Sequence, residues 1–221
     1  MAYIRDQVFV LKTAPFREHD VWVSMYGREH GKMEAVARGI RSWKAKQRGH
    51  LEPLTLVDVM VAKGVTFDKL AVAHAVSAQT DLRQRLGAMV MIGSFAHLLD
   101  SLTRPGISDP ELFYLMEELL GAWRSSQREP TPERTRLLYA AAASKLLHIL
   151  GYGPAHETSR LSDEANKLLA MLPQMPLGLI LSITAPTSVF NEVSAMVEGA
   201  LEDAPVRDRP HGPATIVSLL T

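Results

Sequence analysis

Five cations stand between Ala37 and His50, in the stretch ARGIRSWKAKQRGH: Arg38, Arg41, Lys44, Lys46 and Arg48. No acidic residue separates them, and Trp43 sits near the middle. No other part of the chain is so biased in sign. Guanidinium and ammonium groups at this density can neutralise phosphates and release condensed counterions, and an indole offers a face on which an unstacked base can lie. The chemistry such a stretch supports is binding rather than bond-making. If four or five of these cations meet single-strand phosphates, affinity should fall with salt with a log–log slope of about −3. A base stacked on Trp43 would add ~1–3 kcal/mol. Nothing in the order of residues reads bases, so binding should be largely insensitive to sequence. A basic loop can also do no more than keep a surface solvated.

No catalytic constellation stands beside this stretch. The eight histidines are dispersed, and none forms the i, i+4 pair with an intervening glutamate that marks a helical zinc site. No glycine-rich loop ends in Lys-Ser or Lys-Thr, which argues against a nucleotide triphosphatase. Gly151-Tyr152-Gly153-Pro154 follows a helical pattern and reads as a helix stop. No serine lies in a nucleophile elbow. The expectation is therefore no catalytic residue, no cofactor and no metal. With no cysteine in the chain, disulfides and cysteine-based zinc sites are excluded.

The elements that must position the basic stretch are strands. Gln7–Leu11 is short, apolar and β-branched, and Lys12–His19 reads as a polar loop containing Pro15. Asp20–Tyr26 alternates, with Val21, Val23 and Met25 on one face and Trp22, Ser24 and Tyr26 on the other. Gly27–Gly31 is a turn. Lys32–Arg38 alternates again around Met33, Ala35 and Ala37. After the basic interruption, Leu54–Val61 and Leu70–Val76 complete the set, with a hairpin turn at Ala62–Val65. Five strands with a longer break after the third suggest a small closed barrel of the OB type. The nucleic-acid face of such a barrel comprises strands two and three with the first and last hairpin loops. That surface would carry Arg17, Trp22, Tyr26, Lys32, Arg38 and Lys63.

Beyond residue 79 the period changes from two to that of a helix. Leu82, Leu86, Met89, Val90, Gly93 and Ala96 recur at three and four residues, and Phe95, Leu98 and Leu99 make a second apolar side. Asp109-Pro110 and Thr131-Pro132 each read as a cap followed by proline at the first helical position. Helices are expected over about 110–125, 132–150, 162–172 and 187–201. The fold class is α+β in two parts: a five-stranded barrel over 1–79, then an all-helical domain over 80–221. The charge follows the same division. Residues 1–79 hold twelve Lys/Arg against eight Asp/Glu, a balance of +4, and residues 80–221 hold twelve against sixteen, a balance of −4. With 47% hydrophobic residues the chain can bury a core. The opening MAYIRDQVFVLK is too short in its apolar run for a signal peptide, and no stretch of roughly 18 apolar residues lacks charge. A soluble, cytoplasmic protein is expected.

The N-terminal residues resemble the RecO recombination-mediator family. The resemblance runs through VLKTAPFREHD (10–20), VWVSMYGREHGKMEAVARGIR (21–41) and LEPLTLVDVMV (51–61), and more weakly through KLLHILGYGP (145–154) and RPHGPATIVSLL (209–220). It implies an OB barrel followed by a helical domain, and a non-enzymatic role in DNA repair and recombination at the bacterial nucleoid. It also implies binding of single- and double-stranded DNA, annealing of complementary strands, and action with RecR and single-strand-binding protein to help RecA load at gaps. Carried over residue by residue, DNA binding falls on Lys32, Arg38, Arg41, Lys44, Lys46 and Arg48, with Arg17. Two departures matter. Many members carry zinc-binding cysteines after the LGYGP stretch; here AHETSR (155–160) has none, so no zinc module is expected. Many members place arginine, an aromatic and glutamate on the preceding helix; here that region reads AAAASK (140–145). Arg136 and Lys145 are the remaining candidates for contacting the acidic tail of single-strand-binding protein. The competing reading is a structural adaptor whose barrel binds protein.

Overall fold

In a computed structural model of the chain, residues 2–40, 48–126, 129–152 and 161–204 are described. The side chain of Arg48 lies outside that set, as do Arg41, Trp43, Lys44 and Lys46, the AHETSR stretch and the RPHGPATIVSLL tail.

The strands are β1 (Tyr3–Pro15), β2 (Val21–Gly27), β3 (Gly31–Ala37), β4 (Leu56–Ala62) and β5 (Lys69–Ser77). They close into a barrel in the order β1-β2-β3-β5-β4, the five-stranded OB-like arrangement expected from the strand count. β1 is much longer than Gln7–Leu11 because it serves two partners. Its first half pairs with β4, from Tyr3↔Ala62 to Phe9↔Leu56, and its second with β2, from Val8↔Gly27 to Pro15↔Val21. A register shift between Val10 and Lys12 lets the strand turn from one neighbour to the other. Pro15 is tolerated because it ends the strand. A single parallel bridge, Val36↔Lys69, closes the ring.

The barrel core follows from the period-two alternation. Val8, Val10, Val23, Met25, Met33, Ala35, Val57 and Val59 point inward and are almost wholly buried. Ile40 and Leu51 join the same cluster at 7% and 4% exposure. A 3₁₀ turn, Arg48–Leu51, carries the second of these. The basic stretch is thus bracketed by two side chains anchored in the core.

The chain divides into two compact units, and the division is not a single cut. The first comprises Met1–Thr80 and Leu99–Tyr114; the second comprises Asp81–Leu98 and Leu115 onward. Residues 99–114 were expected in the helical domain. They cover part of the outer face of β2 and β3, which the alternating pattern left polar. Tyr26 Oη donates to the Asp109 carbonyl at 3.0 Å, Ser24 Oγ donates to Asp100, and Phe9 meets Phe113 at 5.0 Å between centroids. Gly31 adopts φ +63°, and a Cβ there would fall 2.4 Å from the Ile107 carbonyl oxygen. Only glycine permits both the turn and this close approach.

The helices are α1 (Thr80–Arg83), α2 (Leu86–Leu102), α3 (Pro110–Ser125), α4 (Pro132–Ile149), α5 (Asp163–Met171), α6 (Leu177–Ile180) and α7 (Thr187–Asp203). Thr131 accepts from the Arg134 N–H to cap α4, and Ser162 accepts from the Ala165 N–H to cap α5. In the second unit α4 is central: Thr135, Leu137 to Ser144, Leu146 and Leu147 are buried. The alanines 140–143 therefore form core, where small side chains allow close helix approach. Arg85 stacks over Trp123 at 5.0 Å and donates to Glu129 at 3.0 Å. No described helix is long and apolar enough to cross a membrane.

Candidate nucleic-acid interface

Two loops meet at one end of the barrel. The β1–β2 loop contributes Phe16 and Arg17, and the β4–β5 loop contributes Lys63 to Asp68. Phe16 lies 5.6 Å from Phe67, edge to face, and 5.8 Å from Trp22 of β2. The Arg17 guanidinium sits over both phenyl rings, at 5.3 and 5.7 Å. Arg17 reaches this position through a left-handed backbone, φ +60°. That conformation is unfavourable for a side-chain-bearing residue, and the surrounding loop holds it: Phe16 N–H donates to the Asp20 carbonyl at 3.0 Å. Asp20 Oδ1 also accepts from Gly39 N–H at 2.9 Å. One aspartate thereby ties the Arg17 loop to the turn that begins the basic stretch. The three aromatic rings are half-buried, whereas Arg17 and Arg38 are exposed.

The β4–β5 loop is held from within. Lys63 Nζ lies 2.6 Å from Asp68 Oδ2, Asp68 Oδ1 accepts from Gly64 N–H at 3.1 Å, and the Asp68 carbonyl accepts from Val36 N–H at 2.9 Å. The Lys63–Asp68 pair is partly solvated and adds little stability. It sets the loop's shape. Below the loop opens a cleft of about 480 Å³, lined by Trp22, Glu29, Glu34, Phe67 and Asp68 among others, and closed on one side by Pro105, Gly106 and Ser108. All of these residues belong to the first unit.

The residues expected to bind DNA are not all brought together. Arg17 and Arg38 are presented to solvent at the loop end of the barrel. Arg41, Trp43, Lys44 and Lys46, with the Arg48 side chain, lie outside the described residues. Lys32 must be withdrawn from the set. It is 7% exposed. Its Nζ lies 2.8 Å from Asp100 Oδ1 and donates to the Asp100 carbonyl at 2.5 Å and the Thr103 carbonyl at 3.4 Å. These carbonyls end α2, so the ammonium caps a helix C-terminus, where positive charge is favoured. A group held in this way cannot reach a phosphate without breaking a buried ion pair. Tyr26 leaves the exposed face for the same reason. It is 1% exposed, and burial pushes its phenol up to about 12, against the lowering effect of its bond to the Asp109 backbone.

The two cations proposed for an acidic peptide are already partnered inside the second unit. Arg136 Nε and Nη2 both lie 2.8 Å from Glu198 Oε1. Lys145 Nζ lies 3.0 Å from Glu118 Oε2, and Glu118 Oε1 accepts from the Leu177 N–H at 2.7 Å. Neither is an unpaired surface cation. Among the described residues no group of acidic and histidine side chains could hold a metal ion.

Sequence reasoning missed Phe16 and Phe67. The available signal was an aromatic in each of the two loops that an OB-like barrel brings to the same end. It also missed Glu34, which alternation placed correctly on the polar face without showing that a cleft forms around it.

The first 79 residues match the family model described as "Recombination protein O N terminal". The chain is 32% identical over 151 residues to the DNA repair protein RecO of Bifidobacterium animalis subsp. lactis, covering 66% of this chain and 61% of that protein. It is 34% identical over 158 residues to the DNA repair protein RecO of Cutibacterium acnes, covering 69% of this chain and 52% of the relative. With that of Bifidobacterium longum the identity is 40% over 78 residues, which is 35% of this chain and 33% of the relative. The aligned region thus spans roughly half to three-fifths of the first two relatives. With the barrel matching the family's N-terminal model and the likeness running on into the helices, the chain belongs to the RecO family.

Proposed function

We propose that this protein is a non-enzymatic DNA repair and recombination mediator that binds single- and double-stranded DNA through the loop end of its barrel and anneals complementary strands. The observation that carries this reading is the cluster of Arg17, Phe16, Phe67 and Trp22, joined through Asp20 to the turn holding Arg38, where the basic stretch begins. Cations at the rim meet phosphates, and half-exposed rings offer stacking surfaces. In this reading Arg41, Trp43, Lys44, Lys46 and Arg48 extend the same interface. The barrel and helical unit together would act with RecR and with single-strand-binding protein to help RecA load at gaps.

Annealing of complementary oligonucleotides, with and without single-strand-binding protein, tests the proposal. Acceleration in either setting is expected, and absence of acceleration in both would overturn it. The adaptor reading has one observation of its own. Val72 and Val76 on β5 are 43% and 49% exposed, two apolar side chains on either side of the exposed His74 that a protein partner could cover. If the barrel binds only protein, no salt-dependent retention of an oligonucleotide will be found.

A further inference from the structure

The outer face of β2 and β3 is divided. Cross-strand pairs Trp22↔Val36, Ser24↔Glu34 and Tyr26↔Lys32 succeed one another along it. The lower part, from Ser24 to Lys32, is occupied by residues 99–114. The rest remains open as a cleft of about 480 Å³ that runs from Trp22 to Glu29 and Lys32 and is bordered by Pro105, Gly106 and Ser108, a size typical of small-molecule sites. Its lining is unusual for a surface that meets DNA. Trp22 and Phe67 supply aromatic wall, Glu29, Glu34 and Asp68 supply three carboxylates, and the lining lysines, Lys32 and Lys63, are each held by a carboxylate, Asp100 and Asp68. Asp68 is committed to Lys63 and Gly64. Glu34 is held more loosely: it forms an ion pair with Lys32 at 3.9 Å, beyond hydrogen-bond range, which leaves its oxygens able to accept hydrogen bonds, and it is 35% exposed.

Carboxylates repel phosphate and accept hydrogen bonds from amino groups. The exposed cations Arg17 and Arg38 belong to the loops and turn at the barrel's end, not to the cleft lining, and Lys63, the exposed cation in the lining, is held by Asp68. We propose that this cleft receives one unpaired nucleobase carrying an exocyclic amino group, stacked against Trp22 and Phe67, with Glu34 accepting from the amino N–H, while the phosphates stay outside with Arg17 and Arg38. This rests on the DNA-binding reading above and adds base chemistry to it. Cytosine, adenine and guanine carry an exocyclic amino group; thymine has only its ring N3–H, flanked by two carbonyl oxygens that would be brought against the Glu34 carboxylate. A paired base cannot enter, so the preference belongs to single strands.

The experiment compares oligo(dC) with oligo(dT) of equal length by fluorescence anisotropy at mildly alkaline pH, where cytosine stays unprotonated. A hydrogen bond to a charged acceptor that is partly solvated should favour oligo(dC) by about tenfold. Glu34→Ala should bring the two within about twofold, and Trp22→Ala should weaken both. If Glu34→Ala loses the thermal transition of the barrel, Glu34→Thr, a better strand former, replaces it. Equal binding of the two oligonucleotides by the unaltered protein overturns the base preference and leaves the DNA-binding reading standing. Discrimination that survives loss of Glu34 overturns the assignment to this cleft. Failure to bind either oligonucleotide overturns the DNA-binding reading and this inference with it.

Discussion

Lys32→Met should unfold the first unit early while leaving its affinity for DNA largely intact. Lys32 and Asp100 side chains are 8% and 13% exposed and sit 2.8 Å apart. Methionine keeps the length of the stem and removes the charge. Removing one partner of a buried pair costs about 3–5 kcal/mol, because the other charge is left without compensation. Asp100 would still accept from Ser24 Oγ, which favours the low end, about 3 kcal/mol. In a chain of this length that corresponds to a fall in Tm of about 6–12 °C. Two carbonyls at the end of α2 lose their donor as well. The assay is thermal and urea unfolding followed by circular dichroism, with Asp100→Leu and the double variant completing a cycle. The double variant should be less unstable than the sum of the singles by about 2 kcal/mol. Below the transition, the salt slope of oligonucleotide binding should be unchanged, whereas loss of a phosphate-contacting lysine lowers it by about 1. A stability loss under about 1 kcal/mol together with a reduced salt slope would return Lys32 to the DNA interface and refute the buried-pair reasoning.

Three further outcomes follow from the same geometry. Gly31→Ala should cost at least about 2 kcal/mol, since the left-handed backbone and the contact with Ile107 and Ser108 both exclude a Cβ; urea unfolding measures it, and a neutral substitution would mean residues 99–114 do not dock as described. Tyr26 stays protonated up to about 12 in the folded barrel, while an unfolded tyrosine ionises near its ordinary value of about 10. Its contribution is therefore complete below about pH 10 and lost as pH rises toward about 12; Tyr26→Phe should flatten the alkaline fall of Tm in that window, and an unchanged profile would contradict the burial. Tyr139 is 1% exposed and its hydroxyl has no hydrogen-bond partner among the described residues, so Tyr139→Phe should change stability by no more than about 0.5 kcal/mol in either direction; a loss several times larger would reveal a partner for that hydroxyl.

The strands and helices were legible because each repeats at its own period. Val21, Val23 and Met25 marked the inner face of β2, and Thr131-Pro132 marked the start of α4 within a residue. The full length of β1 was not legible. Lys12 and Thr13 look like loop, and they are strand only because the bulge after Val10 swings them onto β2. Nor could the polar face of β3 disclose its fate. Lys32 and Glu34 alternate identically in sequence, yet one is buried beneath a segment about seventy residues away and the other keeps a third of its side chain exposed. Local pattern gives the face; only tertiary pairing gives what covers it. The alanines of AAAASK show the converse. They read as a departure in a binding motif, and in the fold they are interior packing of α4.

The central claim is that the loop end of the barrel holds DNA through phosphate neutralisation. The most direct test is the salt dependence of oligonucleotide affinity for the unaltered chain and for a variant with Arg41, Lys44, Lys46 and Arg48 all replaced by alanine. The unaltered chain should give a slope of about −3 or steeper on a single strand, and the variant, which keeps Arg17 and Arg38, a slope of about −1 with much weaker binding. Binding that is equally tight and equally salt-sensitive in the variant would contradict the claim.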